Sequence, residues 1–104
     1  MARIFEENGF KVRRNFKFRG REMHEIDVFA EKGDDIFLVE CKKWRRSISR
    51  KVILKMKKRK EDFITNKRVH LLIVTLLPEA RKEGEVFIVP VFALNSFLLE
   101  FHTL

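Results

Sequence analysis

Apolar residues recur along the chain with two periods, and the switches between them outline the elements. The opening stretch Ile4 to Phe10 reads as the end of a helix, because Gly9 supplies a stop after Glu6, Glu7 and Asn8. From Lys11 to Phe18 the apolar positions Val12, Phe16 and Phe18 alternate with basic ones, as in a half-buried strand, although Arg14 interrupts the row. Gly20 marks a turn. Glu25 to Ala30 and Ile36 to Lys42 then form a hairpin around Glu31-Lys32-Gly33-Asp34-Asp35. Between Ser49 and Ile64 the spacing changes: Val52, Ile53, Met56, Phe63 and Ile64 recur at helical intervals, with Arg50, Lys51, Lys55, Lys57, Lys58 and Arg59 over the rest. Val69 to Thr75 is a nearly continuous β-branched run, expected of a strand covered on both faces, and Val86 to Val91 is similar. A short helix from about Ala93 to Phe101, with Asn95 or Ser96 near its start, closes the pattern.

Strands and helices in the order α-β-β-β-α-β-β-α predict an α/β fold. The 104 residues suit one domain, with 45% hydrophobic and 37% charged content, too apolar for a disordered segment. Neither a membrane span nor a signal peptide is visible, so a soluble, cytoplasmic, nucleoid-associated protein is expected. A lone Cys41 excludes an internal disulfide, and no Cys/His cluster has zinc spacing. The net charge of +8 makes nucleic acid the default partner, since clustered Lys and Arg release the counterions of polyanions. Charge-rich compositions also serve heat stability, which is the competing explanation.

The hairpin carries the candidate chemistry. Side chains alternate along a strand, so Glu25 shares a face with Asp27, and Glu40 with Lys42. If Gly33-Asp34 is a two-residue type II′ turn, paired residue numbers sum to 67, which sets Asp27 opposite Glu40 and Glu25 opposite Lys42. A longer turn would shift this by one. Facing carboxylates repel unless a cation lies between them, and Mg²⁺ takes one or two protein carboxylates while keeping positions for water and phosphate. These charges could instead be the solvated face of an ordinary hairpin, but Glu40 follows the interior-type run Ile36-Phe37-Leu38-Val39, and Asp27 lies between Ile26 and Val28.

Glu25-Ile26-Asp27 and Glu40-Cys41-Lys42, with a helix before and a basic helix after, resemble the PD-(D/E)xK nuclease superfamily. Within it, the Glu-Cys-Lys-Lys string and the opening Ala-Arg-Ile-Phe-Glu-Glu-Asn-Gly-Phe look like the Mrr-like restriction endonucleases and the archaeal Holliday junction resolvases. The resemblance implies a restriction-endonuclease-like core, a central mixed sheet flanked by helices, and the activity of a metal-dependent DNA endonuclease. In it Asp27, Glu40 and the Cys41 carbonyl would bind Mg²⁺ or Mn²⁺, and Lys42 would orient or activate the attacking water. Ile26 stands where the name-giving proline often does. The resolvases also carry a glutamate early in the first helix. Glu6 and Glu7 lie too near that helix's end to match it, so the resemblance implies an amino terminus that starts short, with Glu25 as a substitute and a further domain outside this chain. A nuclease-fold module that binds DNA or RNA without turnover is the alternative, and a basic RNA-binding protein a third.

Other residues divide between packing and binding. Cys41 falls on the opposite face from Glu40 and is expected in the core. Lys43, Arg45, Arg46, Arg50, Lys51 and Lys55 form a basic path from the active strand into the helix, suited to phosphates. Trp44 is assigned to packing over base stacking, and His24 to an ordinary turn over phosphate or metal contact. Cutting both strands of a duplex needs two centres, so a homodimer is expected, with part of the apolar stretch Val86 to Phe101 (Phe87, Phe92, Phe97, Leu98, Phe101) at the interface.

Overall fold

The computed structural model describes residues 1–43 and 48–101. A six-stranded sheet in the order β1-β2-β3-β4-β6-β5 organises the chain. Strands β1 (Lys11–Arg19), β2 (Met23–Lys32) and β3 (Asp35–Lys42) form an antiparallel meander. From β3 the chain crosses through α2 (Arg50–Asp62) to β4 (Arg68–Thr75), which pairs parallel with β3 and with β6 (Val86–Pro90). Parallel neighbours require such a crossover. Helices α1 (Ala2–Glu7) and α3 (Leu94–Phe101) complete the fold, the latter entered through a 3-10 turn at Val91–Ala93.

Two apolar layers hold the sheet. On one face Phe5 of α1 and Leu94 and Leu98 of α3 pack on Val28, Phe37, Val39, Leu72 and Val89. On the other, Ile53 and Met56 of α2 pack on Ile36, Leu38, Leu71, Ile73 and Ile88. Central strands β3 and β4 are covered on both sides, which is why their sequences read as continuous apolar runs. Ser49 caps α2 by accepting from the Val52 N–H. Asn8 ends α1, and Gly9 follows with φ 86°, a left-handed value suited to glycine.

The mixed α/β architecture agrees with expectation, and so does the hairpin register. Val28 pairs with Val39 and Lys32 with Asp35, both summing to 67, and Gly33 has φ 59° while Asp34 stays negative, as a type II′ turn requires. One strand escaped the sequence pattern: β5 (Arg81–Glu83), an exposed edge piece antiparallel to β6. Its Arg-Lys-Glu has no apolar residue to show a period. Phe97 and Phe101 meet the Phe37 ring edge-on, and Phe87 meets Phe97 in the same way, so they cover the sheet, whereas Phe92 at 74% and Leu99 at 57% remain exposed.

Two buried-side carboxylates brace the sheet's ends. Asp35 accepts from both Arg68 and His70, and the Arg68 guanidinium beside it holds its carboxyl down at about 2, with His70 adding to the effect against the opposing cost of burial. Asp62 is held down at about 2 chiefly by its hydrogen bond from His24, then by Arg21. Both folded values lie below the ordinary 3.8, so the stability they contribute is complete above about pH 4 and drains away as pH falls toward 2. Melting temperature measured across that window should fall steeply for the wild type and less steeply for Asp35→Asn. Parallel curves would show that Asp35 titrates alike in the folded and unfolded chain.

Candidate active site

The site grows from a break in strand alternation. Val28 and Ala30 face α1 and α3, yet Ile26, two residues away, packs on the α2 side. Neighbouring β1 does the same, Val12 packing on the first face and Phe16 and Phe18 on the second. Both strands switch where the otherwise constant β1–β2 register skips the pair Asn15 and Asp27, and Asn15 has φ 51°. Asn is one of the few side chains that tolerate this left-handed value. The irregularity also explains Arg14, which breaks the apolar row just before the switch.

At this break Asp27 and Glu40 come to line one cavity of about 310 Å³, with Glu25, His24, Lys55 and Arg59 also on its walls. The β2–β3 ladder ends at Val28 and Val39, one step short of the expected facing pair. Beyond that end, the Cys41 N–H donates to Asp27 Oδ2 at 2.8 Å, fixing the carboxylate to the next strand. Glu40 is half-buried and held by two cations: Arg59 Nη1 donates to Oε2 at 2.6 Å, and Lys42 Nζ lies 3.4 Å from Oε1. Lys42 shares with Glu40 a second, smaller cavity of about 130 Å³ whose far wall is Lys51, Val52, Lys55 and Arg59 of α2.

The structure thus sets Glu40 between Asp27 on one cavity and Lys42 on the other, with Lys55 lining both and Lys51 the second. Glu25 reaches the same cavity, but its ladder partner is Lys17, 3.7 Å away, and not Lys42 as the extended register predicted. The ladder stops before it could place those two opposite each other. Arg50 lies on another flank of α2, along a separate cavity. Lys43 is exposed. Arg45 and Arg46, like Trp44 and His102, lie outside the described residues. Cys41 is partly buried and points to the α1 side, Sγ 3.3 Å from Met1 Sδ. Burial, and then the Asp27 and Glu40 charges, push its thiol up to about 11, which keeps it protonated and unreactive at neutral pH.

Two features went unread in the sequence. Arg59 is 7% exposed and acts as the counterion of Glu40; it follows Val52 and Met56 at helical spacing and so belonged to the inner face, a signal masked by the basic residues around it. His24, expected in a plain turn, is buried, stacked on Phe18 and 2.7 Å from Asp62 at the end of α2. Gly20 makes this junction close: a Cβ there would stand 2.5 Å from Asp62 Cβ and 2.8 Å from its carbonyl oxygen.

The model of a restriction endonuclease family, Mrr_cat, matches residues 1–92. The chain belongs to that family. Membership in this restriction endonuclease family makes it a nuclease-family protein. No curated protein matches the chain. Its fold is similar to a crystal structure of a protein of unknown function, AF1548, with a TM-score of 0.68 at 22% identity. The match covers 98% of this chain and 62% of that one, so the chain spans less than two thirds of the length of that structure. Restriction endonucleases of this kind typically use divalent metals. The donor set fits a hard cation: Asp27 and Glu40 share one cavity, which Glu22 and Glu25 also line, while no group of three His, Cys, Asp or Glu side chains close enough to hold a metal ion occurs among the described residues. Such a pair suits an ion that fills its remaining positions with water and phosphate oxygens. Among the described residues no helix is long and apolar enough to cross a membrane.

Proposed function

We propose that this chain is a Mg²⁺- or Mn²⁺-dependent endodeoxyribonuclease that hydrolyses phosphodiester bonds at the cavity between β2, β3 and α2. One observation carries the proposal: Glu40 shares one cavity with Asp27 of the adjacent strand and another with Lys42, and the basic helix α2 walls both. Asp27 and Glu40, with the Cys41 backbone, would hold the ion, which supplies Lewis-acid polarisation of the phosphoryl group when bound. The protein's own part is orientation and charge. The hydrogen bond from Cys41 fixes Asp27, and Arg59 fixes Glu40. Lys42 orients or activates the attacking water and stabilises the charge that develops on the phosphate oxygens. Lys51 and Lys55, with Lys43, hold the adjoining phosphates. Glu25 contributes a further carboxylate at the cavity's rim.

Two such centres related by a twofold axis would reach both strands of a duplex or a junction. The exposed Phe92 and Leu99 are the apolar side chains a homodimer would cover. One nuclease domain takes in residues 1–104, and it works in the cytoplasm at the nucleoid.

Incubation with linear, supercoiled and four-way-junction DNA, with Mg²⁺ and with chelator, tests the proposal. Cleavage that requires Mg²⁺ and disappears in Lys42→Ala supports it; cleavage unaffected by chelator would overturn the metal assignment. Both Glu40 oxygens already contact cations, which favours a second possibility, a module that binds nucleic acid without cutting it. Binding with no cleavage under any divalent ion would select that one.

A further inference from the structure

Helix α2 carries its basic residues on two flanks rather than one. At about 100° per residue, Lys51 and Lys55 point roughly 130° away from Arg50 and Lys57 around the helix axis. Between them runs an exposed ridge of Leu54, at 51% exposure, Lys58 and, in the last turn, Glu61. Each flank lines its own cavity. Lys51 and Lys55 face Glu40 and Lys42, whereas Arg50 and Lys57 join Arg81 of the edge strand β5 around a separate space of about 390 Å³ floored by Ile48 and Ile53. The one carboxylate on that second cavity, Glu83, lies 3.5 Å from Arg81, so the cavity keeps an excess of positive charge. Gly84 keeps it open to Lys57, whose Nζ lies 3.3 Å from where a Cβ would stand. The candidate active centre does not touch this cavity.

The spacing of the two flanks matches a known target. An α-helix with its side chains is about 10–12 Å across, and the major groove of B-form DNA is about 12 Å wide, with a phosphate backbone along each rim. Resting on the DNA nuclease assignment above, we infer that α2 lies in the major groove of a duplex and touches both of its strands. Lys51 and Lys55 take phosphates of the strand offered to Asp27 and Glu40, and Arg50, Lys57 and Arg81 take phosphates of the complementary strand. The substrate beside the cut is therefore double-stranded. Leu54, Lys58 and Glu61 face the base edges without a bidentate reader such as Asn, Gln or Arg among them, so the contact positions DNA more than it selects sequence.

Salt dependence separates the two flanks. Each phosphate contact contributes about 0.9 to the slope of log K against log salt on duplex and about 0.7 on single strands. Fluorescence anisotropy should be measured on a duplex and on one of its strands alone, for the wild type, for Lys51→Ala/Lys55→Ala, and for Arg50→Ala/Lys57→Ala/Arg81→Ala, in chelator to prevent cutting. The double variant is expected to flatten the slope on both DNAs. The triple variant is expected to flatten it by about 2 to 3 on duplex and leave the single strand unchanged. An unchanged duplex slope in the triple variant, or an equal loss on both DNAs, overturns the two-strand arrangement while leaving the nuclease assignment intact. Failure of the wild type to bind either DNA would remove the DNA assignment itself, and this inference with it.

Discussion

Asp27→Asn is expected to abolish most metal binding and to lower DNA cleavage by about 10²- to 10³-fold, the scale on which removal of one transition-state-stabilising group is felt. Asparagine is nearly isosteric, and its carbonyl oxygen can still accept the Cys41 N–H that Asp27 takes at 2.8 Å, so the strand end should stay in place. What disappears is the charge. Two facing carboxylates, taken alone, would make the metal-free protein gain stability on that change. The structure removes this expectation, because Glu40 is already compensated by Arg59 and Lys42 and Asp27 by a backbone donor. The melting temperature should therefore stay nearly constant without metal, and the rise that Mg²⁺ gives the wild type should be lost. Calorimetric titration of Mg²⁺ into both proteins checks the binding directly. Undiminished heat with Asp27→Asn would move the ion away from this cavity.

The positions of these groups were legible to different depths. The register of the hairpin could be computed because a two-residue turn leaves no freedom: once Gly33 takes the left-handed first position, every pair from Lys32 and Asp35 to Val28 and Val39 follows. Sequence arithmetic then failed at the next step. It assumed regular alternation, whereas Asn15 and Asp27 drop out of the β1–β2 ladder, and both strands change faces there. That break is not a property of either strand alone, since it needs the two to be paired, and it turns Ile26 and Asp27 toward α2 together. Contacts between distant segments were equally hidden. His24 and Asp62 are 38 residues apart and meet only because Gly20 lets the β1–β2 turn press against the end of α2. The aromatics of α3 looked like excess apolar surface because the sequence does not show that Phe37 needs Phe97 and Phe101 to cover it.

Arg59 is the clearest case of a functional neighbour concealed by composition, and its replacement should have the second large effect. In Arg59→Met the Glu40 carboxylate keeps Lys42 at 3.4 Å but loses the 2.6 Å donor that reaches it from inside the core. A buried pair costs most when only one partner is removed, because the remaining charge stays desolvated. A hydrogen bond to a charged group contributes about 1.5–3 kcal/mol, so a loss of about 2 kcal/mol is expected in metal-free buffer, equivalent to roughly 10 °C in melting temperature for a domain of this size. Methionine suits the space, since Arg59 already lies against Met56 Sδ at 3.4 Å, so the loss would reflect charge more than packing. Mg²⁺ should then restore more stability to the variant than it adds to the wild type, because a divalent ion no longer competes with a guanidinium for Glu40. Arg59→Lys keeps the charge and should lie between the two. Glu40→Gln combined with Arg59→Met removes both charges and should recover much of the stability while losing metal binding. Equal melting temperatures for wild type and Arg59→Met, with equal response to Mg²⁺, would reduce Arg59 to a packing residue and leave Lys42 as the counterion that holds Glu40.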